Sequence, residues 1–133
     1  MENCIFCKIA NGEIPAATIY EDEDFRVILD LGPASKGHAL ILPKAHAANL
    51  FELPDDLAAK AMLVAKKVGG KLKEALGCDG LNLVQNNGEA AGQTVFHFHM
   101  HLIPRYEKDD VTISWKQGTI TEELKEEIVS KMR

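Results

Sequence analysis

The chain has 133 residues, 46% of which are hydrophobic, and a formal net charge of −5 with neutral histidines. This length and apolar content predict a single folded domain over residues 1–133 and exclude a disordered tail. The scattered basic residues argue against a nucleic-acid partner, and the apolar runs are far shorter than the roughly 20 residues of a membrane helix.

The first half of the chain is typical of three strands and one long helix. Apolar residues recur at helical spacing from Leu57 to Leu76, and Asp55 is a candidate N-cap. Gly69 and Gly70 cost this helix about 1 kcal/mol each relative to alanine, which indicates close packing or a bend. A compact turn with a short helix is expected over residues 4–14, and strands over 18–20, 25–30 and 38–42, the last ended by Pro43.

The second half is typical of two further strands and a terminal helix. Strands are expected over residues 81–85 and 95–103, with a polar, glycine-containing loop between them and Pro104 after the second. Thr121 begins a capping-box pattern, so a short helix should run to Met132. Hairpin-like strands with two segregated helices predict an α+β fold with a mainly antiparallel sheet.

Imidazoles and large apolar side chains alternate over residues 97–102, which read His-Phe-His-Met-His-Leu. Successive side chains of a strand point to opposite faces, so His97, His99 and His101 should share one face and the apolar residues should face the core. Imidazole is the side chain whose unperturbed pKa lies closest to neutrality. The row is therefore the strongest indication of function in the chain.

Three explanations of the histidine row are open. The row could be a solvated polar face, although exposed strand positions favour Thr, Lys or Glu. It could bind one metal ion, but a strand separates His97 from His101 by about 13 Å, whereas zinc binds imidazole nitrogen at about 2.0–2.1 Å. It could carry out phosphorus chemistry, in which one imidazole attacks phosphorus and a neighbour donates to the phosphoryl oxygens. The surrounding residues favour this third explanation.

Three cysteines are present, and two of them are close in sequence. The N-terminus lacks the positive region and apolar stretch of a signal peptide, so we expect a cytoplasmic protein in which cysteines are metal ligands, reactive thiols or core residues. Cys4 and Cys7 have the spacing of half a zinc site, but a redox pair or a chance pair fits this spacing as well. Cys78 stands alone and is expected to be a small buried residue.

Taken together, these residues resemble the histidine triad (HIT) family, in the branch of small bacterial proteins close to the nucleoside phosphoramidate hydrolases. The resemblance covers nearly the whole chain and implies a five-stranded, mainly antiparallel sheet with two helices, in a homodimer that joins the sheets of its subunits. The motifs that carry it are the histidine row, Gly92-Gln93-Thr94-Val95, Asn86, Gly37-His38, Pro43-Lys44-Ala45-His46 and Cys4-Ile5-Phe6-Cys7-Lys8-Ile9.

The resemblance implies a hydrolase that cleaves the P–N bond of nucleoside 5′-phosphoramidates through a nucleotidyl-histidine intermediate. His99 would be the nucleophile, and His101 would bind the phosphate and help the leaving group depart. Thr94 stands where the family often has Ser, and it keeps the hydroxyl donor. Gln93 would position the bridging or leaving atom.

Further residues would bind the nucleotide or support the triad. Asp30 would accept hydrogen bonds from the ribose hydroxyls, which suits a carboxylate because it only accepts. Asn86 would contact ribose or phosphate, and His38 would support the triad from the neighbouring strand. The chain has no Walker or G-x-G-x-x-G pattern, so the loop over residues 86–92 is the candidate for backbone contacts with phosphate.

The resemblance also implies a structural zinc ion bound by Cys4, Cys7, His46 and His97, a set that fills all four positions of the metal. Dinucleoside polyphosphate hydrolysis is the alternative activity, because it requires the same residues. A nucleotide-binding sensor with little turnover and a zinc-dependent structural module are the non-enzymatic alternatives. The chain ends in a charged helix where the best-studied phosphoramidases have a distinctive tail, so the leaving group is open.

Overall fold

The computed structural model describes residues 3–133, which form five strands and three α-helices. The helices are α1 (Ile5–Ala10), α2 (Asp55–Leu76) and α3 (Glu122–Met132), with a 3-10 turn at Glu89–Ala91. The strands are β1 (Thr18–Glu21), β2 (Phe25–Leu29), β3 (Ala39–Pro43), β4 (Gly80–Val84) and β5 (Met100–Arg105).

All five strands belong to one open sheet in the order β1-β2-β3-β5-β4, and every neighbouring pair is antiparallel. The predicted α+β class and five-stranded antiparallel sheet are thus confirmed. The described residues contain one α-helix more than the two that were expected. The six-residue α1, in the region expected to hold a turn and a short helix, is a third α-helix.

The two faces of the sheet carry different helices because alternate strand residues point to opposite sides. On one face, α2 buries Ala61, Val64, Ala65, Val68 and Leu72 against the sheet residues Phe25, Val27, Ile41, Met100 and Leu102. On the other face, Ala10 of α1 packs with Ile28, Leu40 and Leu42. Phe98, Met100 and Leu102 all lie in the α2 core, as the alternation predicts.

The fifth strand begins later than predicted. The expected strand over residues 95–103 is wrong at both ends, because β5 starts at Met100 and extends through Pro104 to Arg105. Pairing with β3 stops at Met100, which lies opposite Ile41, and the N–H of Phe98 donates to the carbonyl of Ala47. The carbonyl of Pro43, the last residue of β3, accepts from the His97 imidazole instead of from a strand. Proline is tolerated at position 104 of β5 because this residue pairs with β4 only. No partner strand on its other side requires the missing N–H.

The long helix ends where its periodicity predicts, at Leu76, and Gly77 closes it in the left-handed conformation with φ of 62°. Its start differs from the prediction, since Asp55 is the first helical residue and the N-cap is Pro54. Gly69 allows close packing, because a Cβ there would lie 2.8 Å from Leu81 Cδ2.

The third helix is capped as predicted, because the Thr121 hydroxyl accepts from the backbone N–H of Leu124. All residues of α3 are exposed. Within residues 3–133, no helix combines the length and apolar character needed to cross a bilayer.

Candidate active site and metal centre

Two histidines of the row face the α1 side of the sheet. His101 lies in β5 opposite Leu40 of β3, so it shares the face that α1 covers. His99 precedes β5, and its ring centroid is 5.1 Å from that of His101. His97 also lies outside the regular strand, but the alternation persists, because its ring is buried away from the α2 core.

One backbone carbonyl fixes the proton position on His99. The Nδ1 of His99 lies 2.8 Å from the carbonyl oxygen of His97. A carbonyl oxygen only accepts hydrogen bonds, so Nδ1 must carry the hydrogen. In a neutral imidazole the other nitrogen then keeps its lone pair. His99 therefore presents Nε2 as a nucleophilic atom.

A chain of hydrogen bonds gives His101 the opposite arrangement. The backbone N–H of Ala34 donates to His38 Nδ1 at 2.9 Å, so the hydrogen of a neutral His38 lies on Nε2. That nitrogen donates to His101 Nδ1, also at 2.9 Å. His101 must then carry its own hydrogen on Nε2. The two neighbouring imidazoles thus offer one lone pair and one N–H donor.

Burial keeps the supporting pair of histidines neutral. It lowers the pKa of His101 to about 4, and the neighbouring imidazoles of His99 and His38 lower it further because a second positive charge beside them is unfavourable. Burial also lowers the pKa of His38, against the opposing effect of the Asp30 carboxylate, which lies 3.6 Å from its Nε2. At neutral pH both side chains are uncharged, as the hydrogen-bond chain requires.

A cavity of about 410 Å³ opens beside these histidines. Four of the predicted nucleotide-binding residues line it: Asp30, Thr94, His99 and His101. The other lining residues are apolar, and a mostly apolar wall with a few polar groups is the usual composition of a small-molecule pocket. Most of that apolar wall was not foreseen from the sequence, and it includes Ile5, Phe6 and Ile9 of α1, Ala16, Ile28 and Leu40.

The other two predicted binding residues do not line this cavity. Gln93 is buried, and its side-chain amide holds the preceding loop in place. Its Nε2 donates to the carbonyls of Ala48 and Val95, and its Oε1 accepts from the N–H of Gly88. Asn86 lies in the same loop, half-buried, with its side chain near Gly92.

The four predicted metal ligands meet in one cluster. One ligand atom from each of Cys4, Cys7, His46 and His97 lies within 4.8 Å of the other three. The sulfur to nitrogen distances are 3.3 Å for Cys4–His97, 3.3 Å for Cys7–His46 and 3.4 Å for Cys7–His97. A tetrahedral zinc ion with usual bond lengths separates sulfur from nitrogen by about 3.5 Å. The donor set and its spacing therefore fit zinc.

His97 has the correct proton position for a ligand. Its Nε2 lies 2.9 Å from the carbonyl of Pro43, so Nε2 carries the hydrogen and Nδ1 directs its lone pair at the sulfurs. Burial lowers the pKa of His97 to about 4, which favours the neutral form. The remaining cysteine, Cys78, is buried apart from this cluster, as expected.

Comparison with known proteins identifies the family of this chain. A HIT domain model matches residues 11–108 of the chain. The chain belongs to the histidine triad family. It is 49% identical to Protein hit of Bacillus subtilis over 109 residues, covering 82% of this chain and 75% of that protein. It is 42% identical to an adenosine 5′-monophosphoramidase of Schizosaccharomyces pombe, covering 98% and 99% of the two chains.

Solved structures of HIT proteins share this fold over nearly the whole chain. A HIT family protein from Bacillus anthracis superposes with a TM-score of 0.91 at 43% identity, covering 98% of this chain and 95% of that one. A zinc-bound histidine triad protein from Mycobacterium smegmatis gives 0.79 at 37% identity, covering 98% and 96%. The chain is therefore similar to HIT-type hydrolases and to a HIT protein that contains zinc.

Proposed function

We propose that this protein hydrolyses nucleoside 5′-phosphoramidates at the P–N bond, with His99 as the nucleophile. The observation that carries the proposal is the pair of fixed imidazoles, in which His99 Nε2 has a lone pair and His101 Nε2 has a hydrogen. A nucleophile beside a donor suits attack on phosphorus, because the transition state spreads charge over the phosphoryl oxygens. The phosphoramidase activity of a relative supports the choice of bond.

The reaction proceeds in two displacements at phosphorus. His99 Nε2 donates its lone pair to phosphorus, and the P–N electron pair leaves with the amine, which takes one proton from solvent. His101 donates its N–H to the phosphate or leaving atom during this step. Water then attacks the nucleotidyl-histidine and returns one proton to solvent, and the bond to His99 breaks with its electron pair returning to Nε2. The products are an amine and a nucleoside monophosphate.

The remaining residues hold the nucleotide. Asp30 accepts from the ribose hydroxyls, and the apolar wall formed by α1 and β2 packs against the base. Thr94 donates its hydroxyl to the phosphate or the leaving group. Gln93 holds the loop that presents Thr94, and Asn86 contacts ribose or phosphate when the nucleotide is bound.

Replacing the nucleophile tests the proposal directly. His99→Ala should lower kcat/KM for adenosine 5′-phosphoramidate by at least about 10³-fold, because no other group forms the covalent intermediate. Rapid denaturation of the parent protein at alkaline pH, during turnover of substrate radiolabelled in its phosphate, should trap label on His99, because a phosphorus–nitrogen bond to imidazole is stable in base and labile in acid. The control is Glu126→Gln, at an exposed residue of α3 outside both sites, which should keep parental activity.

Comparison with other substrates separates this activity from its alternatives. Adenosine 5′-phosphoramidate should react faster than dinucleoside polyphosphates and nucleotide sugars. Faster turnover of a dinucleoside polyphosphate would replace the proposed substrate while keeping the nucleophile. Binding of adenosine monophosphate without turnover of any substrate would instead indicate a nucleotide sensor.

We also propose that Cys4, Cys7, His46 and His97 bind a structural zinc ion. Metal analysis of protein purified without added metal should find about one zinc ion per chain, and Cys4→Ser should lose it. Cys78→Ser is the matched control, because Cys78 is buried outside the cluster and should leave the zinc content unchanged. Equal zinc content in the parent and Cys4→Ser proteins would refute the site.

The protein is further proposed to form a homodimer through β4. This strand lies at one edge of the sheet, where its outer backbone groups have no neighbouring strand among residues 3–133. Leu81 and Leu83 on β4 are 39% and 40% exposed, and an uncovered strand edge is a ready template for pairing with another chain. Pairing of two copies would cover both the backbone edge and these leucines.

A further inference from the structure

The metal cluster and the nucleophile share one residue. The imidazole of His97 belongs to the cluster, while its backbone carbonyl accepts the 2.8 Å hydrogen bond from His99 Nδ1. Within residues 3–133, this is the one hydrogen bond made by the His99 side chain. A metal ion that holds the His97 side chain therefore also restrains the peptide group that orients His99.

Phe6 of α1 makes a second connection between the cluster and His99. Phe6 lies between the two cysteines in sequence, and its ring meets His99 edge-on, with centroids 5.0 Å apart at 90°. The same ring contacts His97 at 6.2 Å and 77°. Six-residue helices are marginal alone, and the N-cap of α1 is the sulfur of Cys4, which accepts from the N–H of Cys7. The cysteine cluster therefore contributes to the position of Phe6, together with the packing of Phe6 against the core of Ala10, Ile28, Leu40 and Leu42.

The neighbouring histidine is held independently of the cluster. His101 Nδ1 accepts from His38, which in turn accepts from the backbone of Ala34 in the loop between β2 and β3. None of these three residues belongs to the group formed by the two cysteines, His46 and His97. Loss of the metal should thus affect the two active-site imidazoles differently.

We propose that metal binding positions the nucleophile. Through the carbonyl of His97 and the ring of Phe6, the metal holds the His99 imidazole in its attacking orientation and α1 against the nucleotide pocket. Phe6 is a positioning residue, and metal occupancy sets nucleotide affinity as well as stability. The affinity readout rests on the proposed function, whereas the orientation of His99 does not.

Nitrogen NMR of histidine-labelled protein tests the positioning. In zinc-loaded protein, His99 and His101 should each show one fixed tautomer, with hydrogen on Nδ1 and Nε2 respectively. After removal of zinc by a chelator, His99 should average between tautomers while His101 keeps its signals. If His99 keeps a fixed tautomer without zinc, the proposal is wrong.

A substitution that keeps all four ligands covers the case in which metal-free protein unfolds. Phe6→Leu should retain zinc, release the His99 tautomer and weaken adenosine monophosphate binding by about tenfold, as measured by calorimetry. Because Phe6 also lines the nucleotide pocket, the His99 tautomer is the readout that decides the positioning. Phe6→Tyr, which keeps the ring, should restore both readouts. Phe51→Leu is the control, because Phe51 is 82% exposed and contributes to neither site.

The two readouts distinguish failure of this proposal from failure of the proposed function. If adenosine monophosphate does not bind the zinc-loaded parent protein, the nucleotide assignment fails and the His99 signals still decide the positioning. If Phe6→Leu leaves the His99 tautomer and nucleotide affinity unchanged, the metal has no effect on the nucleophile through α1.

Discussion

The chemistry of this site depends on which nitrogen of each imidazole carries hydrogen. His99 and His101 are the same residue type two positions apart, yet one offers a lone pair and the other an N–H. The difference arises from two backbone groups, the carbonyl of His97 and the N–H of Ala34. Neither group is distinctive in the sequence, because every residue except proline has both.

The depressed pKa of His101 makes stability depend on pH. The folded protein keeps His101 neutral down to a pKa of about 4, whereas the unfolded chain protonates it below its usual value of 6.5. The unfolded state therefore binds more protons as pH falls, so the stabilisation is complete above 6.5 and is lost toward 4. The His101 contribution to the free energy of unfolding should fall by about 2 kcal/mol between about pH 7.5 and about pH 5.

Urea denaturation of the parent protein and His101→Gln measures this contribution. The variant lacks the titrating group, so its stability should fall less steeply over the same pH range. Parallel pH dependence in the two proteins would show that His101 has no depressed pKa in the folded state.

At the level of elements, the late start of β5 allows one short segment to serve two sites. Residues 95–97 bend instead of joining the ladder, so His97 turns to the cysteine cluster. His99 then faces the cavity, and His101 enters the regular strand. A strand starting at residue 95, as the alternation predicts, would keep all three imidazoles in one straight row.

The loop before β3 requires glycine, which gives an element-level prediction. Gly37 has φ of +92°, and a Cβ there would meet Leu76 Cδ1 of α2 and lie 3.2 Å from Pro104 Cγ. Gly37→Ala should lower the free energy of unfolding by about 3 kcal/mol, through backbone strain and overpacking. Gly70→Ala is the control, because nothing lies within 4 Å of its Cβ, and it should raise stability by about 1 kcal/mol. Thermal and urea unfolding measure both, and equal effects would contradict the packing argument.

At the scale of the whole molecule, the main hydrophobic core and the candidate site lie on opposite faces of the sheet. The α2 face contains the larger core, and the α1 face contains the cavity and the cluster of two cysteines and two histidines. The two sheet edges, β1 and β4, are the places where another chain could extend the sheet.

A charge on the β4 edge tests the proposed dimer. In a dimer with two-fold symmetry, the substitution Leu83→Lys places two lysines in the interface. Repulsion between the like charges should weaken self-association by at least about 100-fold. Ile19→Lys on the opposite edge is a matched control, because Ile19 and Leu83 are both 40% exposed. Sedimentation velocity should find the parent and Ile19→Lys dimeric and Leu83→Lys monomeric. A monomeric parent, or equal behaviour of both variants, would exclude pairing through β4.

The sequence alone determined the features that depend on local periodicity. Helical spacing predicted the end of α2 at Leu76, and alternation predicted that Phe98, Met100 and Leu102 enter the core. The α+β class and the antiparallel sheet followed from these patterns and from the family resemblance.

Only the tertiary structure decided the features that depend on contacts between distant residues. Cys4 meets His97 across 93 positions, and His38 meets His101 across 63. The proton positions of the imidazoles, the start of β5 opposite Ile41 and the apolar wall formed by α1 all arise from such contacts. Local patterns contain no information about which backbone group, strand or helix lies against a given side chain. Only folding of the whole chain brings these groups together.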